Sequence, residues 1–188
     1  MERGRNYLAL NESERRLFSS SALRPCVFIS HKKDDANFAR HLSDYIMERG
    51  INVYFDENDP ILSKEHKSPD EVVNAIKKGL GKSTHMIIVL SKKTLESNWV
   101  PWEVGFASAK DKEYRLLRLN DVLGDIPEFY KVAKILNDYD DLNKYLASMK
   151  AAQTNNRISQ EEIIRKKKLL ERLDELKKII PQINKQSL

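Results

Sequence analysis

The feature that most restricts the fold is an unbroken apolar run, His-Met-Ile-Ile-Val-Leu-Ser, at residues 85–91. Such a run is typical of a parallel β-strand covered on both faces, because a half-exposed strand alternates apolar with polar residues. Shorter or weaker apolar runs at 26–29, 51–55, 114–119 and 132–136 predict four more strands.

Segments with the spacing of amphipathic helices separate these strands. The first is expected to begin at Asp34 or Asp35 and to end at Gly50. The second begins at the capping box Ser68–Glu71 and ends at Gly79 or Gly81. The last runs from residue 140 to residue 149. Strands that alternate with helices form a parallel sheet with helices on both faces, because crossovers are right-handed. The sequence therefore predicts an α/β fold, a flavodoxin-like five-stranded parallel sheet of order 2-1-3-4-5.

This strand order also predicts where a ligand binds. In a 2-1-3-4-5 sheet the switch point lies between strands one and three, and ligands bind outside the carboxyl ends there. Two polar segments follow these strands, Ser-His-Lys-Lys-Asp-Asp at 30–35 and the residues from 91 to 103. We therefore place the functional site between them.

Three regions are expected along the chain: an N-terminal extension at 1–23, the α/β domain at 24–150, and a linker with a C-terminal amphipathic helix at 151–188. The extension suits a short helix at 11–18, with Leu17 and Phe18 as apolar contacts. The apolar stripe of the C-terminal helix consists of Leu169, Leu173, Leu176 and Ile180. We expect this stripe to pack back on its own domain, and pairing with a second copy is the alternative.

Charge, hydropathy and cysteine content restrict the partners and the cellular compartment that can be expected for the chain. The chain carries a net charge of +5, but residues from Arg157 onward hold +4 of it, so nucleic-acid binding is not expected. No segment approaches the roughly 20 apolar residues of a membrane span, and residues 1–20 lack the apolar stretch of a signal peptide. The single cysteine, Cys26, is expected to be a buried side chain in a cytoplasmic protein.

Several other chemistries lack the residues they need. A phosphate-accepting receiver domain requires an aspartate at the end of strand three, where this chain has Leu90 and Ser91. A Rossmann site requires G-x-G-x-x-G after strand one, and an EF-hand requires Gly and Glu where this chain has Ile61 and Lys67. The four histidines show neither metal-ligand nor Ser-His-Asp spacing, so no metal or cofactor is expected.

The eleven residues at 97–107, Ser-Asn-Trp-Val-Pro-Trp-Glu-Val-Gly-Phe-Ala, combine an acid and two tryptophans just past the third strand. Asn98 is expected to cap a helix that has Pro101 in its first turn. Trp99 and Glu103, four residues apart, then share one helix face. An ordinary structural role, with core tryptophans and an acid favoured by the helix dipole, is the alternative.

Four segments together resemble a TIR domain over residues 24–150: VFISHKKDD, INVYFDEND, MIIVLSKKTLESNW and the W-x-x-x-E of Trp99 and Glu103. In that family the loop after strand two is the mobile BB loop, and a glutamate four residues after a tryptophan is the catalytic acid of members that cleave NAD. The resemblance therefore implies that Glu103 is catalytic. The proline-glycine pair common in the BB loop is absent from residues 56–68.

The crevice offers suitable groups for NAD as a substrate. Expulsion of neutral nicotinamide leaves an oxocarbenium-like ribose, which the carboxylate of Glu103 would stabilise. Trp99 offers a ring face for the cationic nicotinamide, and Lys32, Lys33 and the N-terminus of the first helix offer positive charge for the pyrophosphate. The candidate substrate-binding residues are Ser30, His31, Lys32, Lys33, Asp56 and Trp99.

Within the family, the chain is similar to prokaryotic NAD-cleaving proteins of antiphage defence, such as the Thoeris type. The resemblance implies an ADP-ribose-derived product, linear or cyclic, that activates a separate effector, and TIR–TIR contacts between copies in the active state. Two alternatives remain open. One is a non-enzymatic TIR module that recruits other TIR domains, and the other is an enzyme similar to nucleoside deoxyribosyltransferases, with a carboxylate in a similar crevice.

Overall fold

The computed structural model describes residues 3–15, 25–55, 68–150 and 160–180, with side chains from residue 167 onward in the last segment. The strands are β1 Cys26–Ser30, β2 Asn52–Tyr54, β3 His85–Leu90, β4 Glu113–Arg118 and β5 Lys134–Leu136. The helices are α1 Ala36–Glu48, α2 Pro69–Lys82, α3 Lys92–Leu95, α4 Trp99–Ala109, α5 Glu128–Lys131, α6 Tyr139–Lys150 and α7 Gln160–Lys177. All strand pairs are parallel and their order is β2-β1-β3-β4-β5, which confirms the predicted α/β fold.

Each face of the sheet carries its own apolar core. Successive strand residues point to opposite faces, so Val27 and Ile29 join a core with α1, α6 and α7, while Phe28 joins one with α2, α4 and α5. The β3 residues from Met86 to Leu90 contribute to both cores and are fully buried. Helices on both faces therefore account for the unbroken apolar sequence of this strand.

Two of the expected helix boundaries are confirmed in detail. The Ser68 hydroxyl accepts a hydrogen bond from the N–H of Glu71 at 3.2 Å, and the Glu71 carboxylate accepts one from the N–H of Ser68 at 2.9 Å. This capping box starts α2. Gly50 follows α1 with a φ of 78°, a conformation that favours glycine and ends the helix.

The expected end of α2 at Gly79 or Gly81 is wrong, because the helix continues to Lys82. A Cβ atom at Gly79 would lie 2.6 Å from Cε2 of Phe28 and 2.7 Å from Cε1 of Tyr54. Glycine at this position therefore allows α2 to approach the sheet closely. A Cβ atom at Gly81 would have no heavy atom within 4 Å, so no such contact explains that glycine.

The beginning of the chain packs along β2, the edge strand of the sheet. Asn6 forms a parallel bridge with Val53, and its side-chain amide exchanges two hydrogen bonds with the backbone of Phe55, at 3.2 and 3.3 Å. The ring of Tyr7 stacks on that of Tyr54, with 5.6 Å between centroids. This coverage protects backbone groups that an edge strand would otherwise expose. A helical turn occupies residues 12–15, while the predicted contacts Leu17 and Phe18 lie outside the described residues.

Helix α7 packs back on the domain, as expected. Leu176 and Ile180 are fully buried in the core that contains α1, and Leu169 and Leu173 pack against that core. An ion pair of 2.7 Å between Nη1 of Arg172 and Oδ2 of Asp44 fixes the helix on α1. The linker at 151–159 lies outside the described residues.

Cys26 is an ordinary core residue. Its side chain is buried in β1, and burial raises the pKa of its thiol to about 12, so the reactive thiolate is not populated at neutral pH. Within the described ranges, no helix has the length and apolar character needed to cross a membrane.

Candidate functional site

The segments that follow β1 and β3 meet at the carboxyl edge of the sheet, as the strand order predicted. Ser91 Oγ donates a hydrogen bond to Oδ2 of Asp35 at 2.5 Å, and Nζ of Lys32 lies 3.9 Å from Oε2 of Glu96. The first contact also corrects an expectation. Asp35 occupies the cap position of α1 but makes no capping hydrogen bond, because its carboxylate accepts from Ser91 instead.

Ser91 also organises the chain immediately after β3. Its Oγ accepts a hydrogen bond from the N–H of Thr94 at 3.0 Å, which caps the short helix α3. The hydroxyl of Thr94 donates to the carbonyl of Val89 at 2.8 Å and ties the helix back to the strand. Helix α3 was not predicted from the sequence, where a serine three residues before a threonine is the available signal. These hydrogen bonds fix α3 against the end of β3 and against the turn before α1.

Helix α4 begins where the sequence predicted, with Trp99 as its first residue and Pro101 in its first turn. The expected capping residue is wrong. Asn98 already has helical backbone angles, φ −83° and ψ −20°, and its side chain makes no capping hydrogen bond. The hydroxyl of Ser97 accepts from the first two N–H groups of the helix instead, at 3.3 and 3.4 Å.

The two tryptophans of α4 have different environments. Trp102 stacks on Phe106 with 5.5 Å between ring centroids and 9° between planes, and both pack against the core. The ordinary structural role therefore holds for Trp102. Trp99 remains 40% exposed, so its indole is accessible one helical turn from Glu103.

The centre of the candidate site is a contact between Glu103 and Ser30. Both side chains are buried, with exposed fractions of 8% and 2%. Ser30 Oγ donates a hydrogen bond to Oε2 of Glu103. The last residue of β1 thus orients a carboxylate that α4 places beside the switch point. Two of the residues singled out from sequence are brought into direct contact, and Trp99 lies on the same helix.

Three of the remaining candidates, Lys32, Lys33 and His31, lie in the segment that follows β1. Lys33 is exposed at the start of the 3-10 turn Lys33–Asp35, next to Lys32. The ring of His31 packs on Phe55, the residue after β2, with 5.3 Å between centroids. Asp56 lies outside the described residues.

One residue of this region was not found by the sequence analysis. Tyr130 of α5 is 1% exposed and belongs to the same core as Val100 and Val104, which flank Glu103 on α4. Burial, and after it the negative charge of Glu103, raise the pKa of Tyr130 to about 12. Nothing in the sequence indicates that the connection between β4 and β5 returns to this helix.

The topology, the buried acid at the switch point and the accessible tryptophan define an α/β domain with a candidate site at the carboxyl edge of its sheet. The TIR domain family matches residues 27–153, and the chain belongs to that family. This finding confirms the resemblance seen in the sequence.

Two curated relatives have named activities. The chain is similar to the NAD(+) hydrolase TcpA of Theionarchaea archaeon (strain DG-70-1), with 34% identity over 88 residues, 46% of this chain and 25% of that protein. It is also similar to the 2' cyclic ADP-D-ribose synthase AbTIR of Acinetobacter baumannii (strain 1295743), with 27% identity over 131 residues, 69% of this chain and 43% of that protein. The chain therefore matches less than half the length of either relative.

Among solved structures, the TIR domains of the activated Roq1 resistosome directly recognizing the pathogen effector XopQ are similar to the chain. The TM-score is 0.41 at 18% sequence identity, over 82% of this chain and 84% of that chain.

Proposed function

We propose that this TIR protein breaks the bond between nicotinamide and ribose in NAD, with Glu103 as the catalytic carboxylate. The observation that carries the proposal is the buried contact between Ser30 and Glu103 at the switch point, one helical turn from the accessible Trp99. The named activities of the two relatives, hydrolysis of NAD and synthesis of a cyclic ADP-ribose, support the same bond cleavage.

The proposed reaction needs little besides a fixed negative charge. The electron pair of the bond between ribose and nicotinamide moves to the ring nitrogen, so a cationic ring leaves as neutral nicotinamide and needs no proton. The sugar becomes oxocarbenium-like, and Glu103 stabilises its positive charge from a largely water-excluded position. Water, or a hydroxyl of the same ADP-ribose, then attacks the anomeric carbon and releases a proton. The products are nicotinamide and linear or cyclic ADP-ribose.

Substrate binding is assigned to the rim of the crevice. Trp99 stacks on the nicotinamide ring, with a cation-π contribution from its positive charge. Lys32 and Lys33 attract the pyrophosphate. The N-terminus of α1 contributes little here, because Asp34 and Asp35 occupy the preceding turn. Ser30, His31 and Asp56 complete the proposed binding set.

The biological role is proposed from the family resemblance. The product acts as a signal to a separate effector in bacterial antiphage defence, in the cytoplasm, and the enzyme is active as a homo-oligomer held by TIR–TIR contacts. NAD is the substrate and not a resident cofactor.

The test is release of nicotinamide from NAD by the purified protein and by Glu103→Gln, which keeps the shape of the side chain and removes its charge. We expect the variant to lose activity by hundreds-fold or more, since losing such a stabiliser costs about 3 kcal/mol. Glu48→Gln is the matched control. Glu48 is equally buried, at 7% exposed, and its Oε1 lies 3.3 Å from Nε of Arg3. It is the last residue of α1, whereas the candidate site lies beyond the first residue of that helix.

Two results would contradict the proposal in different ways. Wild-type turnover by Glu103→Gln would remove Glu103 from the reaction. No nicotinamide release by the wild-type protein, even at high protein concentration, would favour the non-enzymatic interaction module. Equal losses in Glu103→Gln and Glu48→Gln would indicate a general effect of charge removal on the fold.

A further inference from the structure

The carboxylate of Asp35 stands in a place that is unfavourable for binding a phosphate. It lies two positions after Lys33, in the turn before α1, and the proposed function assigns Lys32 and Lys33 to the pyrophosphate. A negative charge so close to these lysines opposes the approach of a second one. Capping of α1 does not explain the acid, because its side chain makes no capping hydrogen bond. The contacts that Asp35 does make supply another explanation.

Asp35 is bound to a buried hydroxyl at the end of β3. Ser91 and Thr94 are both 0% exposed, and a hydroxyl group has one proton to donate. Thr94 donates its proton to the carbonyl of Val89 at 2.8 Å. Ser91 Oγ accepts from the N–H of Thr94 at 3.0 Å and donates its own proton to Oδ2 of Asp35 at 2.5 Å. A charged acceptor makes such a bond strong, so Asp35 is tied to a fixed point of the sheet.

The same two segments also touch nearer the surface. Nζ of Lys32 lies 3.9 Å from Oε2 of Glu96, and Nζ of Lys93 donates to the carbonyl of Asp34 at 3.5 Å. Both contacts are long and each includes an exposed side chain, so neither holds the turn firmly. The bond between Asp35 and the buried hydroxyl is the strongest of these links.

We infer that Asp35 is a positioning residue for the substrate, and that its bond to Ser91 holds Lys32 and Lys33 where they bind the pyrophosphate of NAD. The inference rests on the proposed function, which assigns both lysines to that group. The N–H of Asp35 donates to the carbonyl of Lys32 at 2.8 Å, so the lysines and the acid belong to one turn. A displacement of Asp35 therefore moves the lysines with it.

The test measures binding in the Glu103→Gln protein by titration calorimetry, so that NAD is bound but not consumed. We expect the further change Asp35→Ala to raise Kd for NAD about fivefold, the order of effect of one lost hydrogen bond. Asp35→Asn keeps an oxygen that accepts from Ser91 and removes the charge, so it should bind NAD at least as tightly as the parent protein. Loss of the charge alone would tighten binding in both variants, and the sign of the change therefore separates positioning from charge.

Nicotinamide riboside provides a second ligand, which has the ring and the ribose but no phosphate. We expect Asp35→Ala to leave its Kd unchanged, because the two lysines do not contact it. General damage to the fold would weaken the binding of both ligands.

Asp138→Ala is the matched control for a lost carboxylate. Asp138 is 7% exposed and lies beyond the end of β5, at the edge of the sheet, where its Oδ1 accepts from the N–H of Asp141 at 2.9 Å. We expect this variant to lower the thermal midpoint and to leave Kd for NAD unchanged.

Ser91→Ala breaks the same bond from its other side. We expect Asp35→Ala to cause no further rise of Kd when it is added to Ser91→Ala, because the two changes remove one interaction. In the active enzyme with Glu103, Asp35→Ala should raise KM by the same factor as Kd and change kcat little. A loss of folded protein would instead lower kcat at constant KM.

The outcomes separate this inference from the proposed function. With nicotinamide released by the wild type, an unchanged or lower Kd for NAD in Asp35→Ala overturns the role of Asp35 and leaves the proposed function standing. Equal losses for NAD and nicotinamide riboside, or an equal loss in Asp138→Ala, also overturn it. A selective loss for NAD without release by the wild type supports Asp35 as a positioning residue and rejects the cleavage. Neither binding of NAD nor release of nicotinamide rejects both.

Discussion

At the scale of single residues, a buried carboxylate needs a partner, and Ser30 provides one for Glu103. Burial of an unpaired carboxylate costs several kcal/mol, whereas a donated hydrogen bond offsets part of that cost and selects one orientation. The two residues are 73 positions apart. Their meeting follows from strand alternation, because Ser30 shares a sheet face with Phe28, the face that α4 covers. The meeting of the segments after β1 and β3 was predictable from the strand order. The contact between Ser30 and Glu103 depends on the packing of α4, which no local sequence pattern indicates.

The exposed tryptophan provides a prediction at this scale. We expect Trp99→Ala to raise KM for NAD roughly fivefold and to change kcat little, because an exposed cation-π contact contributes about 1 kcal/mol to binding. Trp102→Ala is the matched control. It removes a ring that packs against the core, so it should lower the thermal midpoint more than Trp99→Ala does. An unchanged KM for Trp99→Ala would show that its indole takes no part in substrate binding.

At the scale of helices and strands, the sequence predicts the five strands and the longer helices but not the short helices α3 and α5. It also fails at helix ends where a side chain has a partner elsewhere. The capping box of α2 is local, so its residues could be read directly. Asp34 or Asp35 was expected to cap α1, but the carboxylate of Asp35 accepts a hydrogen bond from Ser91, 56 positions away. Gly79 or Gly81 was expected to end α2, but the helix continues to Lys82, and Gly79 lies against two rings of the sheet. Local patterns do not record such distant partners, and this limits prediction of helix ends.

The two glycines of α2 give opposite predictions. Gly79→Ala should destabilise the fold by about 1–3 kcal/mol, although alanine is the better helix former, because its methyl group would overlap the buried rings of Phe28 and Tyr54. Gly81→Ala should stabilise the fold by up to about 1 kcal/mol, since nothing lies near its Cβ position. Urea unfolding of both variants measures the two effects. A Gly79→Ala protein as stable as Gly81→Ala would show that the rings move aside at no cost.

At the scale of the whole molecule, the first and the last described segments both pack on α1. Oδ1 of Asp44 accepts from Nη2 of Arg3 at 3.1 Å, and its Oδ2 accepts from Nη1 of Arg172 at 2.7 Å. The periodic stripe of α7 made its packing predictable. The initial segment has no such pattern, and part of its contact uses backbone atoms, such as the 2.7 Å hydrogen bond from the N–H of Gly4 to the carbonyl of Met47. Hydrogen bonds between backbone atoms do not depend on the identity of the side chains, so the sequence does not indicate them.

The packing of α7 also bears on assembly. Leu176 and Ile180 of its apolar stripe are buried in its own domain, and Leu169 and Leu173 pack against the same core, so the stripe is not a free surface for a second copy. Exposed apolar side chains occur elsewhere, on the connection between β4 and β5: Leu123 is 85% exposed, Val132 is 75% exposed and Phe129 is 45% exposed. If a second copy completes the site, this connection is the better candidate for the contact.

The last prediction follows from that surface. We expect the specific activity for nicotinamide release to fall when the protein is diluted about a hundredfold, because assembly obeys mass action. Concentrated Val132→Lys protein should have the low specific activity of the diluted wild type. An unpaired charge buried in the contact between copies opposes association. Leu170→Lys, at an exposed apolar position on α7, is the control and should behave as wild type. Both positions are exposed, so neither change should lower the thermal midpoint appreciably. A specific activity that stays constant on dilution in all three proteins would mean that a single chain contains the complete site.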